Sequence, residues 1–162
     1  MSKHLDPRPE LPIDPDSPGQ PQALHVRADA LLLVAVGGVI GTLARYGLSR
    51  VEPGATEGWP WGTFTANIAG AFVLGALLDW LGRTGPDRGW RQRVRLLTGT
   101  GFCGGFTTYS SLAVEGGLLV RAHHAGLAVA YLAVTVTVGL LATIGGVAAT
   151  RHHRGTLRET TA

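Results

Sequence analysis

Residues 99–111 read Gly99-Thr100-Gly101-Phe102-Cys103-Gly104-Gly105-Phe106-Thr107-Thr108-Tyr109-Ser110-Ser111. The run lies inside an apolar block, Leu96 to Val120, whose remainder suits a helix in lipid. Adjacent glycines followed by two threonines make a poor continuous helix. At membrane depth every backbone group released from a helix must find another partner, so broken backbone is tolerated only where it is buried in protein or lines a cavity. Freed carbonyls in such a break can bind a cation. The alternative is a kink in which threonine hydroxyls bond back to the backbone.

Three further blocks flank the run. Ala30 to Leu48, Gly62 to Leu78 and Ala125 to Thr150 are apolar, and the last contains no Asp, Glu, Lys or Arg. A hydrocarbon core of roughly 30 Å takes about 20 helical residues. The sequence therefore predicts an all-α integral membrane protein of four transmembrane helices, the third broken. A soluble bundle is the competing reading, but even a buried soluble helix keeps a polar stripe. Here the polar residues within the blocks are mostly Gly, Ser, Thr and Asn, the small residues that pack helices in lipid. Gly62, Ala66 and Gly70, and likewise Gly37 and Gly41, have the four-residue spacing that lets backbones approach.

The length of 162 residues allows one transmembrane domain, over 28–150. Six of the nine prolines fall before Ala23 in a stretch poor in apolar residues. Residues 1–27 are accordingly expected to be a disordered cytoplasmic tail. Their acidic, proline-rich opening does not fit a cleaved secretory signal. A basic C-terminal tail is expected over 151–162. Val51 to Trp61 reads as a loop, as does the basic stretch Gly82 to Arg95, whereas Arg121 to Ala125 is short enough for a tight helical hairpin. Trp59, Trp61, Trp80 and Trp90 suit the membrane interface.

With four spans, one side collects Lys3, Arg8, Arg27, Arg83, Arg88, Arg91, Arg93, Arg95, Arg151, Arg154 and Arg158, against Arg45, Arg50 and Arg121 on the other. This bias puts both termini in the cytoplasm of a multi-pass plasma-membrane protein. The net charge of +3 is no argument for nucleic acid, because the basic runs lack interleaved aromatics that could stack on bases. The single cysteine, Cys103, excludes an internal disulfide and reads as a small buried residue.

Few residues within the spans can carry chemistry. Asn67 is the sole carboxamide there, and its NH2 group can either donate to an anion or bond a neighbouring helix. Tyr131, Thr135 and Gly139 recur every fourth residue, with Thr143 following, so that hydroxyls share one helix face. Such a track suits a small hydrated ion, yet membrane threonines also bond their own backbone. Arg45 and Glu115 lie near span ends, where snorkelling and structural pairing are expected. No histidine lies inside a span, and no span carries a paired-carboxylate, metal-ligand or nucleophile–base set. An enzyme is not expected.

Three segments together resemble the small bacterial fluoride channels, the Fluc (CrcB) family. They are Gly37-Gly38-Val39-Ile40-Gly41-Thr42-Leu43-Ala44-Arg45-Tyr46, Gly62-Thr63-Phe64-Thr65-Ala66-Asn67-Ile68-Ala69-Gly70, and Gly104-Gly105-Phe106-Thr107-Thr108-Tyr109-Ser110-Ser111, one per span and in family order. The resemblance covers about residues 30–150. It implies an antiparallel, dual-topology-type dimer of four-helix subunits with two pores for passive fluoride export. It places the pore at Asn67, Phe106, Tyr109, Ser110, Leu112, Tyr131 and Thr135, with Arg45 near the vestibule. It also implies a structural sodium ion (Na+) at the dimer centre, held by the backbone carbonyls of Gly104 and Thr107.

Two departures stand out. Tyr109 and Leu112 occupy positions where the family has phenylalanines, and Gly139 stands where a second hydroxyl is usual. Homodimers of this kind need each chain to insert in both orientations, which the basic bias opposes. The expected partner is thus an oppositely oriented paralog, with a homodimer as the alternative. A four-span multidrug or cation-coupled exporter would carry a membrane-embedded Glu in span one, and this chain has none there. A non-conducting scaffold subunit is the third reading.

Overall fold

A computed structural model of the chain describes residues 27–51 and 58–159. The expected tail over 1–27, Arg27 apart, and residues 52–57 of the first connection lie outside the described residues. The elements are α1 (Ala28–Val51), α2 (Trp61–Thr84), α3 (Trp90–Val94), a π-helical segment (Arg95–Cys103), α4 (Gly104–Phe106), α5 (Tyr109–Arg121) and α6 (Ala125–Glu159). No strand occurs among the described residues.

Three helices, Ala28–Arg50, Trp61–Thr84 and Ala125–Arg151, are long and apolar enough to cross a membrane. At about 1.5 Å per residue the shortest spans roughly 35 Å. Little of each is buried, 11%, 22% and 17% of its most apolar stretch. Leu32, Val39, Leu43, Val129, Val136 and Leu140 are each 60% or more exposed. A soluble bundle would bury such residues, so this apolar exterior belongs in lipid or against another subunit. The remaining apolar block is assembled from short helical pieces.

The break is narrower than the sequence predicts. Gly99 to Phe106 stays helical, first in π and then in α geometry, and only Thr107 and Thr108 leave the helix, at φ −83°, ψ 156° and φ −153°, ψ 124°. The glycines that weaken this stretch as an isolated helix let it lie against α1. A Cβ on Gly37 would overlap the Leu97 carbonyl oxygen, and one on Gly41 the Phe102 carbonyl oxygen. On the facing side, a Cβ on Gly101 would sit 2.7 Å from the Val34 carbonyl oxygen. Close packing therefore holds helical geometry that intrinsic propensity disfavours.

The second pairing is α2 with α6, where Gly75 faces the Thr143 backbone and Gly146 the Phe72 backbone. The α5–α6 connection is the tight hairpin expected. It is closed by Ala122 N–H to Leu118 O (2.9 Å) and His124 N–H to Leu119 O (2.9 Å), with His123 at φ 64°. Leu112, Leu119, Ala128 and Tyr131 form the core at this end, with Trp59 and Phe64 packed on it. The loop expected over Gly82 to Arg95 shortens to five residues, 85–89, because helix continues on both sides. Beyond Thr150, α6 runs on to Glu159.

Candidate functional site

Asn67, in the second turn of α2, points its carboxamide at Thr108, one of the two residues that leave the helix. Its Oδ1 accepts from Thr108 N–H at 2.8 Å, and its Nδ2 donates to Thr108 O at 3.1 Å. One side chain thus satisfies both backbone groups of a residue in extended conformation, as a neighbouring strand would. Thr108 repays the local chain by capping α5: its Oγ1 accepts from Ser111 N–H at 3.1 Å. Thr107 donates through both N–H (2.9 Å) and Oγ1 (2.8 Å) to Cys103 O. In an unbroken α-helix Thr108 N–H would bond to Gly104 O. Here that donor goes to Asn67, so the Gly104 carbonyl is released from it. The Gly105 carbonyl is taken by Arg45 Nε, at 3.2 Å.

Beside this clamp lies an open cleft of about 360 Å³. Its walls are Asn67, Gly70, Ala71 and Leu74 on α2, Thr107 to Tyr109 and Leu112 at the break, and Thr135, Val136, Gly139 and Thr143 on α6. The lining is mostly apolar, with polar groups gathered at the break. Tyr109 stands at the edge, 82% exposed. Leu112 is buried, its side chain shared between the cleft and the core below.

Of the residues singled out by sequence, Asn67, Thr107, Tyr109, Leu112 and Thr135 meet in the cleft. Phe106 lies off its lining, stacked on Phe102 with ring centroids 5.4 Å apart. Ser110 is exposed and shares a hydrogen bond with Thr108 Oγ1 at 3.1 Å. Arg45 reaches the break from α1, through the Gly105 carbonyl. Tyr131 is fully buried one turn from Thr135, and its hydroxyl donates to Glu115 Oε2 at 2.7 Å. The other carboxylate oxygen accepts from Thr63 Oγ1, also at 2.7 Å. Both α6 threonines in the cleft bond their own helix, Thr135 to Tyr131 O (2.6 Å) and Thr143 to Gly139 O (3.0 Å). Their protons are therefore engaged, and they present lone pairs to the cleft.

Sequence reasoning flagged Glu115 for structural pairing without finding its partners, Thr63 and Tyr131. It also passed over Thr108 as the partner of Asn67. The available signal was a lone amide facing a Thr-Thr break, since such an amide needs a partner and so does the break. Among the described residues no group of three or more His, Cys, Asp or Glu could hold a metal ion.

Residues 32–147, which hold the clamp, the cleft and both glycine seams, match the family described as CrcB-like protein, Camphor Resistance (CrcB). The chain belongs to the CrcB family. It is 49% identical over 109 residues to "Fluoride-specific ion channel FluC 1" of Cutibacterium acnes, covering 67% of this chain and 76% of that protein. Over 125 residues it is 45% identical to "Fluoride-specific ion channel FluC 2" of Leifsonia xyli subsp. xyli, covering 77% of this chain and 86% of the relative. A relative in Caulobacter vibrioides, "Fluoride-specific ion channel FluC", is 41% identical over 125 residues, which is 75% of this chain and 94% of that one. As a CrcB member with three long apolar helices, the chain is a multi-pass membrane protein.

Proposed function

We propose that this chain is a subunit of a fluoride-selective ion channel, and no enzyme, that lets fluoride leave the cell passively. The observation that carries this reading is the cleft in which Asn67 is tied to the broken helix, within a chain whose relatives are named as fluoride-specific channels. Fluoride gives up water reluctantly, so a pore must replace hydration with donors. Asn67 spends one amide hydrogen on Thr108 O and keeps the second, since a carboxamide carries two. The positive edge of an aromatic ring is a further donor surface, and Tyr109 at the rim supplies one.

The short pieces from Trp90 to Arg121 act together as a third, broken crossing, which makes four spans with both termini cytoplasmic. A half-open cleft with an exposed Tyr109 becomes a pore when a second subunit covers it. We assign that role to an antiparallel partner, and the basic bias favours an oppositely oriented paralog over a second copy of this chain. Leu112 and Gly139 leave this chain's own wall short of polar groups, which the partner completes.

The carbonyls fit a structural sodium ion between subunits. Gly104 O is released by the Asn67 clamp, Thr107 is extended, and Arg45 occupies only the Gly105 carbonyl. Carbonyl oxygens are ligands for a hard monovalent cation, and such an ion would lend a fixed positive field near the pores.

Liposomes loaded with fluoride and read by a fluoride electrode test the reading. Vesicles with this chain plus an oppositely oriented relative should release fluoride, those with this chain alone far less. Robust efflux from the single chain would overturn the pairing while keeping the channel. Absence of efflux from every combination would overturn the channel.

A further inference from the structure

At the end of α2 away from Trp61, the chain gathers Arg83, Arg88, Arg91, Arg93 and Arg95, and α6 adds Arg151. Two aspartates answer part of this charge. Asp79 pairs with Arg83 (2.6 Å) and Arg151 (3.5 Å), and also accepts from Thr150 Oγ1 at 2.7 Å, which ties α6 to α2. Asp87 pairs with Arg95 at 2.7 Å. Among the described residues Arg88, Arg91 and Arg93 have no carboxylate partner. Arg91 is held all the same: its Nε donates to Pro86 O (2.8 Å), its Nη1 to Thr84 O (3.2 Å), and its guanidinium lies over the Trp90 ring at 5.6 Å. Gly85, at φ 134°, makes room, since a Cβ there would meet the Arg91 Cζ at 3.2 Å. The result is a recess of about 240 Å³, with Leu78 and Leu81 as an apolar wall and Arg91, Arg95 and Asp87 as its charged lining, the Asp87 carboxylate being taken up by Arg95. Trp80 and Trp90, with ring centroids 5.7 Å apart, mark this level as the headgroup zone.

We infer that this recess binds the headgroup of an anionic phospholipid. Arg91 faces the phosphate, Arg88 and Arg93 add attraction, and an acyl chain leaves along Leu78. Two features fit a lipid better than a free anion. The apolar wall offers nothing to inorganic phosphate, and an anionic leaflet attracts basic residues placed near its surface. The site would fix this end of the bundle against one leaflet, independently of what the cleft conducts.

Native mass spectrometry of the full chain in mild detergent reads the inference directly. Phosphatidylglycerol should be retained and phosphatidylcholine should not, and inorganic phosphate at equal concentration should not displace the lipid. Arg91→Gln should lower phosphatidylglycerol occupancy about fivefold, the equivalent of about 1 kcal/mol per surface arginine. Arg121→Gln, at the opposite end, should leave it unchanged. If Arg91→Gln does not fold, Arg88→Gln with Arg93→Gln replaces it, because those side chains bond no carboxylate among the described residues; a loss supports the site and unchanged retention overturns it. Equal retention of the two lipids, equal effects of Arg91→Gln and Arg121→Gln, or displacement by phosphate each overturns it.

Discussion

The two halves of the interrupted segment are held in opposite ways. From Arg95 to Phe106 the chain lies against α1 with almost nothing between the backbones, and Gly37, Gly41, Gly101 and Gly105 make that approach possible. From Thr107 to Arg121 polar side chains fasten it: Asn67 on Thr108, and Glu115 between Thr63 and Tyr131. The first half is a packing solution and tolerates no added volume at Gly37, Gly41, Gly101 and Gly105, the seam with α1. The second is a hydrogen-bonding solution that leaves space, and the cleft opens there. Packed backbone and open cleft thus meet at the stretch from Gly104 to Thr107.

The largest effect expected from breaking this contrast is on the packed half. Gly41→Leu would drive a side chain into the Phe102 backbone and should cost more than about 3 kcal/mol. In practice it should abolish recovery of folded protein in size-exclusion chromatography. Gly47→Ala, on the same helix with nothing within 4 Å of its added Cβ, should fold as well as the parent. Next comes the clamp. Asn67→Ala leaves both backbone groups of Thr108 without partner, a loss of about 1–3 kcal/mol. It should lower the melting temperature in detergent and fluoride efflux together.

Tyr131→Phe removes one of two donors to Glu115 and should cost about 1–2 kcal/mol in thermal unfolding. Glu115→Gln should be milder, since the amide still accepts one hydrogen bond. The smallest stability change belongs to the cleft itself. A Cβ at Gly139 meets only Ile68 Cδ1, at 3.7 Å, so Gly139→Ser should shift stability by less than about 0.5 kcal/mol. It adds a hydroxyl between Thr135 and Thr143 whose proton has the Thr135 carbonyl as its acceptor one turn back, as theirs have, so fluoride efflux should change little.

Much of this division could be read in the sequence, and unevenly. The apolar blocks gave the long helices because a 20-residue run without charge has few other uses. The Gly99–Ser111 run marked where regularity fails, but local propensity put the failure too widely. What keeps Gly99 to Phe106 helical is α1, a partner some sixty residues earlier, and no local rule sees it. Asn67 was legible as a residue in need of a partner, whereas the choice of Thr108 depends on the depth at which α2 crosses the break. The hydroxyl track shows the reverse case. Spacing placed Thr135 and Thr143 on one face correctly, yet spacing says nothing of where a hydroxyl proton points, and both are spent on α6.

The central claim is that the cleft beside the Asn67–Thr108 clamp is one wall of a fluoride path. Electrode-recorded efflux from liposomes holding this chain with an oppositely oriented relative, in parallel fluoride-loaded and chloride-loaded sets, tests it most directly. The account predicts rapid fluoride release that needs no proton gradient, little chloride release, and a drop of at least tenfold in fluoride rate for Asn67→Asp, which keeps the Thr108 N–H acceptor but loses the donor. Equal release of chloride and fluoride, or an undiminished rate in Asn67→Asp, would contradict it.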